Sequence, residues 1–338
     1  MKAIVLNQKT YKLEIKDVDK PIISHSDVLV KLKATSINHH ELWTLKEKKL
    51  RSDSNIIMGS DGAGIIMDAH AGVNGFKKGD EVIINPSLNW GANSKVQGEG
   101  YEILGFPTNG TFAEYISINH QYVCHKPEHL SFQESAAIPL AALTAYRALF
   151  NRGEFEKGNR VLITGIGSGV ALFALKFAIS LEAEVYVTSG NDHKIFKAIE
   201  LGAKGGVNYK DRDWSTKLLE MAKGFDVIVD SAAGKGFAEL TEITNPGGRI
   251  ALFGRTAGNI QNLSPSIIFW NQISIHGTTM GNNEEFKKMI NLISSKKIRP
   301  VIDSIYSIQE INFAFDKMAK GEQFGKIIIN MNKFKNDI

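Results

Sequence analysis

Cysteine is almost missing from the sequence: Cys124 is the only one in 338 residues. A single thiol excludes an internal disulfide framework and any all-cysteine zinc site. Its place after Val123, in an apolar setting, predicts a small buried side chain rather than a catalytic thiol. Long apolar runs are missing too. None approaches the ~18 residues of a membrane span, and the strand-like residues 1–6 are too few for a secretory h-region. A cytoplasmic protein with no membrane partner is the expectation. Charge of one sign is also scarce, since 40 basic side chains face 36 acidic ones for a net charge of +4. The basic stretches at Lys48, Lys49 and Arg51 and at Lys296, Lys297 and Arg299 carry no interleaved aromatics. They read as solvated loops or helix ends, and no nucleic-acid partner is expected.

What is present is apolar surface, with 43% hydrophobic residues in a chain long enough for about two domains. Two textures divide it. Up to about residue 127, short strands alternate with glycine-bearing turns. Val30, Leu32 and Ala34 fall on one face of a strand over residues 28–34, and residues 65–67, 81–84 and 112–118 read as further strands. This predicts a small, mostly antiparallel barrel, with residues 86–107 as a long surface lobe. From about residue 160 the texture becomes strand–helix alternation, which predicts a doubly wound parallel sheet. Strands are expected at 160–164, 184–188, 206–208, 225–230, 249–253 and 273–277. The tail, helical over 284–294 and extended over 326–330, is expected to rejoin the first domain. The predicted division is 1–130 with 280–338 against 131–279.

The first strand of the alternating region runs into Gly165-Ile166-Gly167-Ser168-Gly169-Val170-Ala171, which opens a helix. Glycines allow the backbone to turn tightly against a pyrophosphate, and a helix N-terminus offers unpaired N–H groups and positive potential. The strict G-x-G-x-x-G pattern is not met: Ser168 intrudes, and Ala171 stands in place of the third glycine. Position after a strand and before a helix supplies the confirming context.

At this point the chain resembles the medium-chain dehydrogenase/reductase superfamily. The resemblance is carried by Gly59-Ser60-Asp61-Gly62-Ala63-Gly64, Phe76-Lys77-Lys78-Gly79-Asp80-Glu81-Val82, Gly110-Thr111-Phe112-Ala113-Glu114-Tyr115, Ala136-Ala137-Ile138-Pro139 with Thr144-Ala145-Tyr146, and the phosphate turn. It implies an α/β architecture: a barrel like that of the GroES co-chaperonin for substrate, a Rossmann domain for a nicotinamide cofactor, and an active site in the cleft between them. Zinc-dependent members place three ligands at positions that look like Asn38, Ser60 and Leu140 here, and four cysteines in the lobe that is cysteine-free here. Zinc takes thiolate, imidazole or carboxylate, so neither metal site is expected. The likeness is then to the zinc-independent quinone oxidoreductases or to a zinc-less offshoot of the alcohol dehydrogenases. His39 and His40, read as a strand end, would point in opposite directions and bind no metal together.

Without a metal, hydride transfer to a quinone or an α,β-unsaturated carbonyl is the less demanding chemistry, because the developing charge is delocalised. Asn38 is the first expected hydrogen-bond donor to such a carbonyl substrate, its alternative role being that of a turn residue. By resemblance, Asp61, Thr144 and Trp43 line the site, with Trp43 as wall and His39 and Glu41 as reserve proton donors. Thr144 is expected near the nicotinamide amide, and Thr279 and Met280 near its ring. Gly165, Gly167, Ser168, Gly169, Val170 and Gly254 complete the expected cofactor contacts. The second strand of the sheet ends in Thr188-Ser189-Gly190-Asn191, with no acid to read a ribose 2′-hydroxyl. Ser189, Lys194 and Tyr209 match positions that hold a 2′-phosphate in quinone reductases, so NADP(H) is the expected cofactor. Asp192 is the counter-reading, explained as a helix cap. Two other functions stay open: a zinc-independent alcohol or aldehyde oxidoreductase, and a cofactor-binding protein without turnover, as lens crystallins of this superfamily illustrate. Relatives commonly pair through the Rossmann sheet edge, so a homodimer is expected, with residues 273–275 on that edge.

Overall fold

The computed structural model describes residues 1–7, 12–47 and 56–331, and every count below is of these residues. The basic stretch at Lys48, Lys49 and Arg51 lies outside them. The chain divides into two units: Met1–Ala141 with Gly281–Ile338, and Ala142–Met280.

Along the first unit run β1 (Lys2–Asn7), β2 (Lys12–Asp17), β3 (Asp27–Ile37), helix α1 (His39–Glu47), β4 (Ile56–Ile57) and β5 (Asp61–Ala69). They are followed by β6 (Glu81–Ile84), β7 (Ser87–Leu88), β8 (Glu102–Ile103), β9 (Tyr115–Asn119), β10 (Val123–His125) and the short helix α2 (Phe132–Ala136). Strand β3 organises the barrel. Val30, Leu32 and Ala34 are buried along it while Lys31 and Lys33 stay part-exposed, the alternation that their spacing predicts. One edge of β3 pairs antiparallel with β5, and β9 takes the other edge over its N-terminal half. Val30, Leu32, Ile66, Val82, Ile84 and Phe112 meet in the barrel core. The strand expected at 112–118 begins only at Tyr115, because Phe112 bonds through its N–H to Met58 O instead. In the lobe, β7 and β8 form a two-stranded ladder. Trp90 packs edge-on against Tyr101, ring centroids 5.3 Å apart, and its indole N–H donates to Asn93 O.

Helix α3 (Pro139–Tyr146) leads into the second unit, which holds β11 (Arg160–Ile163), α4 (Gly169–Ser180), β12 (Glu184–Ser189), α5 (Asp192–Glu200), β13 (Gly205–Asn208) and α6 (Trp214–Ala222). Then come β14 (Phe225–Asp230), α7 (Phe237–Glu242), β15 (Thr244–Leu252), α8 (Pro265–Trp270) and β16 (Ser274–Gly277). The six strands pair in the order β13-β12-β11-β14-β15-β16, every pair parallel. This is the doubly wound arrangement that the alternation predicts, with its topological switch between β11 and β14. The chain then returns to the first unit through α9 (Asn283–Ser295), β17 (Ile302–Ser307), α10 (Ile311–Lys320) and β18 (Lys326–Asn330). Strand β18 pairs antiparallel with the C-terminal half of β3, so the tail does rejoin the barrel. Helix α2, which the sequence puts in the second domain (131–279), packs on β3, β5 and β18 of the first unit. Among the described residues no helix is long and apolar enough to cross a membrane.

Candidate functional site

In the barrel unit, the end of β3 and the start of β5 are tied together by side chains. Strand β3 stops at Ile37, and the next four residues turn into α1 around Glu41. The Glu41 carboxylate, almost fully buried, accepts the N–H of Asn38 on one oxygen (2.8 Å) and that of Ser60 on the other (2.9 Å). An acid reaching back to an N–H just before a helix is the second half of a capping box. This corrects the strand-end reading of His39 and His40: both lie in the first turn of α1. On a helix they diverge by about 100° rather than alternating. Burial pushes the His40 imidazole below its ordinary pKa, against the pull of Glu41, so the ring is held neutral. As a bridge between two backbone N–H groups, Glu41 has both oxygens engaged.

Asp61, fully buried at the head of β5, gathers donors from four places. Its Oδ2 accepts from Ser36 Oγ (2.6 Å), Asn38 Nδ2 (2.9 Å) and Lys326 Nζ (3.0 Å), and its Oδ1 accepts from Leu140 N (2.8 Å). Thr35 and Thr111 donate their hydroxyls to its backbone carbonyl. Lys326, the first residue of β18, is 4% exposed at its side chain. Its ammonium donates to Asp61, to Asn38 Oδ1 and to Ile37 O (3.0 Å), which uses all three of its hydrogens. The structure therefore brings together two expected site residues, Asn38 and Asp61, around a buried ion pair. Asn38 is left with one amide hydrogen for any ligand. Trp43, on α1, packs its partly buried ring against the barrel core, and Thr144, on α3, belongs to the second unit.

These residues do not fit zinc. Asn38, Ser60 and Leu140, which the resemblance puts at the three ligand positions, are not zinc-ligand types, and both nearby carboxylates, Asp61 and Glu41, have their two oxygens engaged by backbone or side-chain donors. Among the described residues no group of three or more His, Cys, Asp or Glu could hold a metal. Cys124 is no exception, since burial pushes its thiol up to about 11.

The second unit presents a different arrangement. Gly165 and Gly167 carry φ of +64° and +122°, values that favour glycine, and fold the chain back from β11 into α4. The turn is anchored to the end of β12: Ile166 N donates to Thr188 O (2.8 Å) and Gly165 N to Thr188 Oγ1 (3.4 Å). The intruding Ser168 is the N-cap of α4, its Oγ accepting Ala171 N, so Gly169 and Val170 form the first turn with N–H groups open to an anion. Ala171 is completely buried, the close helix–strand packing its position in the motif requires. Lys194 lies over the turn: a methyl group on Gly167 would sit 2.9 Å from its Cδ and 3.4 Å from its Nζ. At the end of β12, a methyl on Gly190 would meet Tyr209 Oη at 2.6 Å and Lys210 Cε at 3.0 Å. Tyr209 and Lys210 thus lie at the end of β12 beside Ser189, whereas Lys194 lies over the glycine turn. The Asp192 carboxylate accepts from Asn208 Nδ2 (2.9 Å), and the cap of α5 is Asn191 rather than Asp192. Gly254 lies where a methyl group would meet Ser231 O at 2.5 Å, so the backbone approaches closely there. Thr278 N bonds to Leu252 O past β16, setting the course of Thr279 and the buried Met280.

Three participants escaped the sequence. Lys326 was visible as the start of a strand, but its partner Asp61 lies 265 residues away. Lys210 directly follows Tyr209, and adjacency to an expected phosphate contact could have found it. Asp230, buried at the end of β14 with its pKa raised by that burial, holds Thr164 Oγ1 and Ala233 N beside the phosphate turn.

Residues 24–128 match the family model described as the alcohol dehydrogenase GroES-like domain, and residues 169–295 match the one described as zinc-binding dehydrogenase. The chain is 32% identical to the zinc-type alcohol dehydrogenase-like protein YogA of Leptosphaeria maculans, over 96% of each. It is 25% identical to a crotonyl-CoA reductase of Streptomyces avermitilis, over 93% of this chain and 81% of that one. Among solved structures it is similar to an NAD-dependent alcohol dehydrogenase, with 32% identity and a TM-score of 0.90 over 98% and 99% of the two chains.

Proposed function

The chain belongs to the medium-chain dehydrogenase/reductase superfamily of oxidoreductases, and from that premise we propose an NADPH-dependent, zinc-independent reductase. Its substrate class is a quinone or an α,β-unsaturated carbonyl. A nicotinamide cofactor is expected across the family. The observation that carries the NADPH reading is the end of β12. No acid stands in Thr188-Ser189-Gly190-Asn191 to bind a ribose 2′-hydroxyl, Asp192 is engaged by Asn208, Tyr209 and Lys210 lie against Gly190 beside Ser189, and Lys194 lies over Gly167. A 2′-phosphate would meet hydroxyls and ammonium groups, the charge-assisted contacts that hold phosphate.

When bound, the reduced nicotinamide supplies the hydride. The protein's part is to hold and orient. The Gly165–Gly167 turn and the open first turn of α4 would take the pyrophosphate. Thr144, Thr279 and Met280 would position the nicotinamide. In the barrel, Asn38 would offer its remaining amide hydrogen to the oxygen on which negative charge develops. With the metal-ligand positions held by Asn38, Ser60 and Leu140, that charge is met by hydrogen bonds and by conjugation within the substrate. The crotonyl-CoA reductase relative favours an enone-type acceptor, whereas the alcohol dehydrogenase relatives favour a second reading, interconversion of alcohols and carbonyls. A homodimer in the cytoplasm completes the proposal.

Dissociation constants for NADPH and NADH test the cofactor. NADPH is expected to bind more tightly, and Lys194→Ala to weaken NADPH alone; tighter NADH binding would overturn the assignment. A turnover screen with quinones, enals and short alcohols separates the two reactions. Cofactor binding with no oxidation in any arm would leave a binding protein. Stoichiometric, chelator-resistant zinc that supports turnover would sink zinc independence.

A further inference from the structure

In the barrel unit, two polar side-chain atoms near the Asp61 cluster are buried and bonded to no other protein group: His40 Nε2 and Ser60 Oγ. Their surroundings make this unusual. The Glu41 carboxylate spends one oxygen on Asn38 N and the other on Ser60 N, fixing the first turn of α1 and the segment entering β5 to each other. Asn38 in turn bonds Asp61, the residue after Ser60, and both contact Lys326. Ten or more donors and acceptors in this knot are matched, yet these two are not. Buried polar atoms in folded chains are nearly always paired, and those left over call for a ligand or a functional reason. Ser60 is fully buried and also occupies a position that carries a metal ligand in the zinc-dependent enzymes the sequence resembles. Neither residue is needed to hold the fold through its terminal atom.

We propose that Ser60 Oγ and His40 Nε2 are reserved for the substrate, as hydrogen-bonding partners of its carbonyl group. The hydroxyl can donate to the carbonyl oxygen, and the neutral imidazole donates from Nε2 in one of its two tautomers. They would supply from side chains the polarisation that a metal supplies elsewhere. The inference rests on the carbonyl-reductase reading above.

The test uses the NADPH-loaded full chain and butyramide, a carbonyl compound that cannot accept the hydride. Butyramide is expected to raise the melting temperature of the wild type, and Ser60→Ala and His40→Leu are expected to abolish that rise. Without butyramide both variants should melt at or above the wild-type temperature, since each removes an unpaired buried polar atom. NADPH affinity should stay within twofold, and kcat/KM for an enal should fall at least tenfold in each. If Ser60→Ala does not fold, Ser60→Cys, close in size and a weak donor, is expected to lose the butyramide effect likewise. Three results overturn the proposal: no butyramide effect in the wild type, a full effect in the variants, or variants that melt lower with the effect unchanged. Should the butyramide pattern hold while no carbonyl oxidises NADPH, the reductase reading fails and the binding pair stands.

Discussion

The Asp61 knot in the barrel and the glycine turn after β11 solve the same task, holding a site in shape, by opposite means. The knot is made of side chains drawn from β3, β5 and β18 and the segment after β3, with one backbone N–H from α3 and a buried carboxylate and ammonium at its centre. The turn is made of backbone from one short segment, its geometry set by two residues with positive φ and its capping by one serine. A side-chain knot is therefore vulnerable to the loss of a partner, because what remains is a buried charge. A backbone turn is vulnerable to the gain of a methyl group, because its positive φ values are ones that L side chains rarely adopt.

Lys326→Met breaks the comparison on the knot side most severely. It leaves the Asp61 carboxylate buried without its cation, and about 3–5 kcal/mol of stability is expected to be lost, read by urea unfolding of the barrel. The double variant Lys326→Met with Asp61→Leu should recover much of that loss; no recovery would mean the charge pair is not what the knot depends on. Asn38→Ala comes next. If its free amide hydrogen meets the substrate oxygen, about 3 kcal/mol of transition-state stabilisation goes with it, seen as a drop in kcat with NADPH affinity nearly unchanged. An unchanged kcat returns Asn38 to the knot alone. On the turn side, Gly167→Ala meets an unfavourable φ and the Lys194 stem together. A cost of roughly 1–2 kcal/mol should appear as about tenfold weaker cofactor binding by fluorescence titration, with the barrel's urea transition unmoved. Ser168→Ala removes the cap of α4 and should cost ~1 kcal/mol, visible as a lower thermal midpoint. The smallest effect is expected from the lone thiol. With its pKa near 11, only about a thousandth of Cys124 is thiolate at pH 8, so a disulfide reagent should label it only after denaturation.

The same contrast decides how much could be read in advance. The phosphate turn was legible because everything that builds it lies within a few residues: strand, glycines, capping serine, helix. Ser189 and Tyr209 were legible for a similar reason, each standing at a strand end of a regular alternation, and Lys210 directly follows Tyr209. The knot was legible by half. Asn38 and Asp61 stand in recognisable segments, but their union depends on β18 pairing back onto β3, a contact with no local trace. Helix α1 was missed because its nine residues show no clear apolar period, and it owes its start to the Glu41 carboxylate rather than to propensity. Asn191 rather than Asp192 caps α5: Asx side chains at adjacent positions compete equally in sequence, and in the structure Asn191 takes the N–H of His193.

The pairing of β18 with β3 also sets an order of events as the chain leaves the ribosome. The parallel six-stranded sheet, complete by Gly277, has all its strands available while the barrel still awaits its last ones. Until Lys326 emerges, Asp61 and Asn38 belong to an unfinished enclosure whose buried carboxylate has no cation to close around. Nascent chains halted at residue 320 are expected to carry a protease-resistant nucleotide domain beside a protease-sensitive N-terminal third. The first hundred residues to be made are thus the last to become secure.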